Sequence, residues 1–96
     1  MKIIREAMCG TLESNDLLVK VMPFGVLQVS IYSEVMRQFG AQIRKVVFET
    51  LHKLDLQTGL VVIEDKGALD CAIRARVQAA VLRGAPLKDL DWSVLS

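Results

Sequence analysis

Ser14, within Thr11-Leu12-Glu13-Ser14-Asn15-Asp16, is the side chain of this sequence best placed for covalent chemistry. Small and apolar residues lead in (Ala7, Met8, Cys9, Gly10). An alternating run, Leu17-Leu18-Val19-Lys20-Val21-Met22, leads out, so the stretch reads as the tip of a β-hairpin. Asn and Asp bond to their own backbone and tolerate left-handed geometry that branched residues resist. The Ser14 hydroxyl is therefore expected to project into water from a rigid support. It has no help as a nucleophile, because the chain holds one histidine, His52, and no Gly-x-Ser-x-Gly elbow. An exposed serine is ordinarily only a turn residue, and chemistry at Ser14 would be done to it by another protein.

Other reactive residue types form no constellation. His52 lacks a second histidine or clustered carboxylates at ligand spacing, so a zinc site is rejected and the residue is read as surface. Cys9 and Cys71 lack CxxC spacing and read as small buried apolar residues. Lys66-Gly67 resembles a phosphate loop in composition only, without the GxxxxGK[ST] spacing.

The elements that must position Ser14 follow from hydrophobic period. After the hairpin, Pro23-Phe24-Gly25 turns the chain into a third strand, Val26 to Tyr32, with Leu27, Val29 and Ile31 on one face. Three strands in meander order are expected. Ser33 offers a helix N-cap, and Met36, Phe39, Ile43, Val46, Val47, Thr50, Leu51 and Leu54 make an apolar stripe over a helix of about 34–54. Phe48 projects off that stripe, near Ala41, Arg44 and His52: a docking contact or a lone surface hydrophobe. Leu60-Val61-Val62-Ile63 reads as a strand buried on both faces or paired inside the sheet. Glu64 to Gly67 then turns into a second helix, about 68–83, with Ala68, Ala72, Ala75 and Ala79 along one side and Leu69, Ile73, Val77 and Ala80 continuing the apolar surface. Arg76 falls in the alanine sector and must snorkel or meet a carboxylate, with Glu64, Asp65 and Asp70 as the expected partners. Gly84-Ala85-Pro86 ends this helix.

The expected fold is α+β: an antiparallel or mixed four-stranded sheet, order β-β-β-α-β-α, with two helices packed on it. Residues 1–96 form one domain, with a compact core of about 1–84 and a tail, 85–96. The apolar tail residues Leu87, Leu90, Trp92, Val94 and Leu95 fit both folding back on the sheet and gripping a partner. Twelve basic and eleven acidic side chains leave a formal charge of +1 without a concentrated basic footprint, which argues against nucleic acid. The charged start, Met1 to Glu6, and the lack of any apolar run of about 20 residues argue against a signal peptide and a membrane span, so the expected compartment is the cytoplasm.

Three separated motifs carry a resemblance that covers nearly the whole chain: Gly10-Thr11-Leu12-Glu13-Ser14-x-Asp16; Arg37-Gln38-Phe39-Gly40 with Ile43-Arg44; and Asp65-Lys66-Gly67-Ala68-Leu69-Asp70-Cys71 followed by Arg74-Ala75-Arg76. In this order they resemble the acyl carrier protein, or γ subunit, of citrate lyase. The resemblance implies a non-catalytic carrier subunit. It implies a phosphodiester-linked 2′-(5″-phosphoribosyl)-3′-dephospho-coenzyme A on Ser14, whose thiol holds acetyl and citryl groups while citrate is cleaved to acetate and oxaloacetate. Its implied partners are an α acyltransferase subunit, a β acyl lyase subunit and a transferase that attaches the prosthetic group. Glu13 and Asp16 then become candidates for recognition of the turn by that transferase, and Arg74 and Arg76 for the phosphates of the arm. The carrier of a related complex such as malonate decarboxylase, and an unmodified interaction subunit, are the alternative readings.

Overall fold

The computed structural model describes residues 1–86. The elements are β1 (Ala7–Gly10), β2 (Leu17–Met22), β3 (Leu27–Ser33), α1 (Met36–Lys53), β4 (Gly59–Asp65) and α2 (Asp70–Gly84). This is the expected α+β class and the expected β-β-β-α-β-α order. The tail residues Leu87, Leu90, Trp92, Val94 and Leu95 lie outside the described residues.

The strands pair in the order β1-β2-β4-β3, antiparallel except for the parallel β3–β4 pair. The meander expectation is thereby corrected, because β4 inserts between β2 and β3. A period-two pattern fixes which face of a strand is buried and leaves its neighbour open. The most β-branched strand takes the centre, where both of its edges are paired. Val61 and Ile63 are fully buried, and Asp65 nearly so, while Leu60, Val62 and Glu64 are half-buried on the other face. β3, expected as an antiparallel partner of β2, becomes an edge strand with Leu27 and Tyr32 exposed.

Both helices pack on the face that buries Val19, Val21, Val61 and Ile63, with α2 over β1 and β2 and α1 against α2 and β3. Ile43, Val46, Val47, Leu51 and Leu54 of the predicted stripe enter the core. Thr50 is buried with its hydroxyl donating to the Val46 carbonyl at 2.7 Å. Met36 and Phe39 do not follow the stripe inward: both are exposed, Phe39 by 54%. Phe48 lies on the solvent side as expected, with the Arg44 guanidinium 5.5 Å from its ring centroid.

Helix starts differ from the sequence reading for one shared reason, the carboxylate of Asp65. Ser33 does not cap α1: its hydroxyl donates to Asp65 Oδ2 at 2.7 Å and accepts from the Val35 N–H, and the helix begins only at Met36. The N–H groups of Gly67 and Ala68 also donate to Asp65, which keeps Ala68 and Leu69 in the loop and delays α2 to Asp70. Leu69, expected on the apolar surface, is left 74% exposed. At the other end of α2, Gly84 serves close approach, since a Cβ there would press on Val21 and on the Arg5 carbonyl. Its carbonyl accepts from the N–H groups of Ile4 and Arg5, which ties the N-terminal segment to the helix.

Asp65 thus joins β3, β4 and the loop into α2. Asp65→Ala is expected to lower stability by about 1–3 kcal/mol, because two backbone donors and one hydroxyl lose their acceptor. Urea unfolding measures this, and a change of only a few tenths would show that water replaces the carboxylate.

Candidate functional site

Ser14 stands at the exposed tip of the β1–β2 connection. Residues 13–16 close a β-turn in which the Asp16 N–H donates to the Glu13 carbonyl at 3.2 Å, so Ser14 takes the first central position and Asn15 the second. Asn15 has φ +66°, the left-handed geometry its side chain type tolerates. Gly10 closes the hairpin at φ +106°, where a Cβ would collide with the Leu17 carbonyl oxygen.

Asp16 holds this turn from beneath. Its Oδ1 accepts from the Leu17 N–H at 2.7 Å and from Arg76 Nε at 3.2 Å. Its Oδ2 accepts from the Thr11 hydroxyl at 3.0 Å and from Arg76 Nη2 at 3.1 Å. Thr11 Oγ1 in turn accepts from the Glu13 N–H. The N–H of Leu17, followed by the Arg76 fork and the Thr11 hydroxyl, holds the Asp16 carboxyl below the ordinary carboxylate range, against the opposing effect of desolvation. Hydrogen bonding to Asp16 raises the Arg76 guanidinium correspondingly. A second set of bonds stitches the turn sideways to the loop after β4: the Asn15 N–H donates to the Lys66 carbonyl at 2.8 Å, and the Lys66 N–H to the Asp16 carbonyl at 2.9 Å.

The candidate residues therefore separate. Ser14 and Glu13 are exposed, while both carboxylate oxygens of Asp16 are turned inward. Arg76 is brought to the turn with Asp16 as its partner, in place of the expected Glu64, Asp65 or Asp70, and its Nη1 also approaches Cys9 Sγ at 4.0 Å. Arg74 is exposed and, two residues along α2, sits about 200° round the helix from Arg76. It is not brought to the turn. Cys9 is buried as expected, but Cys71 is exposed, two residues and so about 200° round α2 from the buried Ile73. Thr11 was missed by sequence reasoning, although a hydroxyl five residues before an aspartate across a hairpin tip is a usable signal.

The family model described as malonate decarboxylase delta subunit (MdcD) matches residues 4–84. Full-length relatives settle the membership more finely. The citrate lyase acyl carrier protein of Enterobacter sp. is 60% identical over 97 residues, covering 100% of both chains. That of Vibrio cholerae is 51% identical over 98 residues, again with 100% of both covered. The chain belongs to the citrate lyase acyl carrier protein family. Its fold also recurs in a chain of a Pseudomonas malonate decarboxylase hetero-tetramer, with TM-score 0.70 at 22% identity over 84% of each chain. An acyl carrier family implies a covalently attached prosthetic group, and the site fits one: a free hydroxyl at the tip of a braced turn, open to an attaching enzyme. No helix among the described residues is long and apolar enough to cross a membrane.

The lowered carboxyl of Asp16 gives the turn a pH dependence. The folded chain binds this proton more weakly than the unfolded chain, so the stabilisation is complete above the ordinary carboxylate range and lost as pH falls through the folded value. Asp16→Asn is expected to cost about 1 kcal/mol at neutral pH, the scale of a solvent-screened charged hydrogen bond. The deficit should shrink below about pH 4, where the carboxylate of the unfolded parent chain protonates first and the folded one follows at lower pH. Urea midpoints of both chains at the two pH values measure it, and a deficit independent of pH would assign the effect to packing.

Proposed function

We propose that this chain is the acyl carrier subunit of a citrate lyase complex, working in the cytoplasm, with Ser14 as the attachment hydroxyl for 2′-(5″-phosphoribosyl)-3′-dephospho-coenzyme A. The observation that carries the reading is the exposed serine at the first central position of a turn braced from below and from the side, in a chain 60% identical to a citrate lyase acyl carrier protein. When bound, the group supplies the thiol on which acyl units are held as thioesters.

The chain's own residues bind, orient and brace. Ser14 Oγ is the oxygen that enters the phosphodiester. It bonds to the phosphorus of an activated phosphoribosyl donor held by the attaching enzyme as the donor's bond to its phosphate leaving group breaks. Its proton leaves to that enzyme, since among the described residues no base is bonded to it. Asp16 and Arg76 are positioning residues, which hold the turn without touching the hydroxyl. Glu13, exposed beside Ser14, is the side chain available for recognition by the attaching transferase. The α and β subunits of the complex then act in turn on the tethered thiol, and tethering raises its effective concentration at both of their sites. The match to the malonate decarboxylase delta subunit family model favours a second reading, a malonate decarboxylase carrier. The identity to full-length citrate lyase relatives outweighs it.

Intact mass and peptide mapping on protein from its native cells provide the test. A covalent addition of the phosphoribosyl-dephospho-coenzyme A mass on the Ser14 peptide is expected, and Ser14→Ala should abolish both the addition and lyase activity of the reconstituted complex. An unmodified Ser14 in material from an active complex would overturn the carrier reading in favour of an interaction subunit. For Glu13→Ala, the expected outcome is slower loading by the transferase with an unchanged thermal midpoint. Loading at the parent rate would remove Glu13 from recognition.

A further inference from the structure

An open groove of about 740 Å³ runs beside the serine turn, between the first turns of α1 and the loop that enters α2. Phe39 and Ile43 form one wall, Leu69 and Ile73 the other, and Gln42 and Asp70 meet across it with Nε2 donating to Oδ2 at 2.8 Å. Asn15, the neighbour of Ser14, lies in the lining, as does Lys66, whose carbonyl accepts the Asn15 N–H. The groove therefore begins where the attachment turn ends. We infer that it seats the adenosine portion of the arm carried on Ser14, a reading that rests on the carrier function proposed above.

Size, composition and charge choose this occupant. The volume falls in the range of small-molecule sites, which are mainly apolar with a few convergent polar groups. Phe39 is 54% and Leu69 74% exposed, and large apolar side chains left open in a concave, polar-rimmed site mark a ligand surface. A flat heteroaromatic ring covers an exposed phenyl face well, because bases stack on aromatic side chains regardless of sequence. The Gln42 and Asp70 oxygens are acceptors suited to an exocyclic amine; the Asp70 carboxylate repels phosphate and the Lys66 ammonium is already paired with Glu34 at 2.9 Å, so the ring and not the diphosphate matches the lining. In the proposed arm, adenosine also comes directly after the phosphoribosyl link to Ser14, ahead of the diphosphate and the pantetheine. Seating it leaves the pantetheine as the swinging length, which narrows the volume searched by the thiol.

Cys71 lines the same groove and is exposed, whereas Cys9 is buried, so alkylation of Cys71 reads the groove directly. The experiment compares iodoacetamide labelling of Cys71, by peptide mass, in the S-acetylated loaded chain and in the bare Ser14→Ala chain. Intact mass first establishes that the loaded sample carries the adenosine-containing group. The expected result is labelling slowed about fivefold by loading, since reaction needs an accessible thiolate. In loaded Phe39→Ser the rate should return to that of the bare chain, with the thermal midpoint confirming the fold. Equal rates in the loaded parent and the bare chain, with the arm present by mass, overturn the groove assignment. Failure to find the arm at all is the separate failure of the carrier reading.

Discussion

The inward carboxylate of Asp16 fixes where the reactive end of this molecule stands. A six-residue connection on an edge hairpin would otherwise bend freely, because β1 is only four residues long and is paired on one side. Asp16 spends both oxygens on the turn itself and on Arg76, a residue sixty positions away on α2. Its neighbour in the sheet register extends the arrangement, since Leu17 pairs with Asp65. Asp65 does for the β4–α2 loop what Asp16 does for the hairpin, and the backbone bonds between Asn15, Asp16 and Lys66 join the two loops. One end of the sheet is thus organised by two aspartates facing the protein. Each such bond offsets part of the conformational entropy lost in ordering the loops.

This bracing suits the modification of Ser14 proposed above. Among the described residues no base is bonded to Ser14, and the chain contributes placement. The electrostatics agree with that role. The proposed phosphodiester at Ser14 would add negative charge beside a turn that already contains two carboxylates, which would oppose it if both were free. The Asp16 charge is neutralised by Arg76 and by the Leu17 N–H, and Glu13 is exposed to screening by solvent and salt. Pairing Arg76 inward therefore removes a repulsion that an unpaired Asp16 would create.

Much of this was legible in the sequence, and the limits have physical causes. Period two and period 3.6 place all four strands and both helices within a few residues, and Glu-Ser-Asn-Asp reveals the exposed tip. What period cannot reveal is adjacency. An antiparallel pair with a third strand inserted has the same alternation as a simple hairpin, so β2–β3 reads as a meander whether or not β4 lies between them. Capping by Ser33 fails for a related reason, because a local rule was overridden by Asp65, thirty-two positions on. The partner of Arg76 was misread toward carboxylates near in sequence, when the hairpin tip folds back onto α2. Phe39 keeps the helical period and yet is exposed, because period marks a face of a helix and not what covers that face along its length.

The way the sheet ends also constrains how such a carrier associates. An open edge strand is a liability, because strand pairing there is undirected and recruits any extended chain. β1 is kept to four residues, and the Arg83 guanidinium donates to its Met8 carbonyl at 2.8 Å, occupying an acceptor that a foreign strand would need. Arg5 similarly donates to the Arg83 and Ala85 carbonyls and closes the adjoining corner. The opposite edge, β3, is paired on one side only, so the blunting is confined to the hairpin that carries the serine turn.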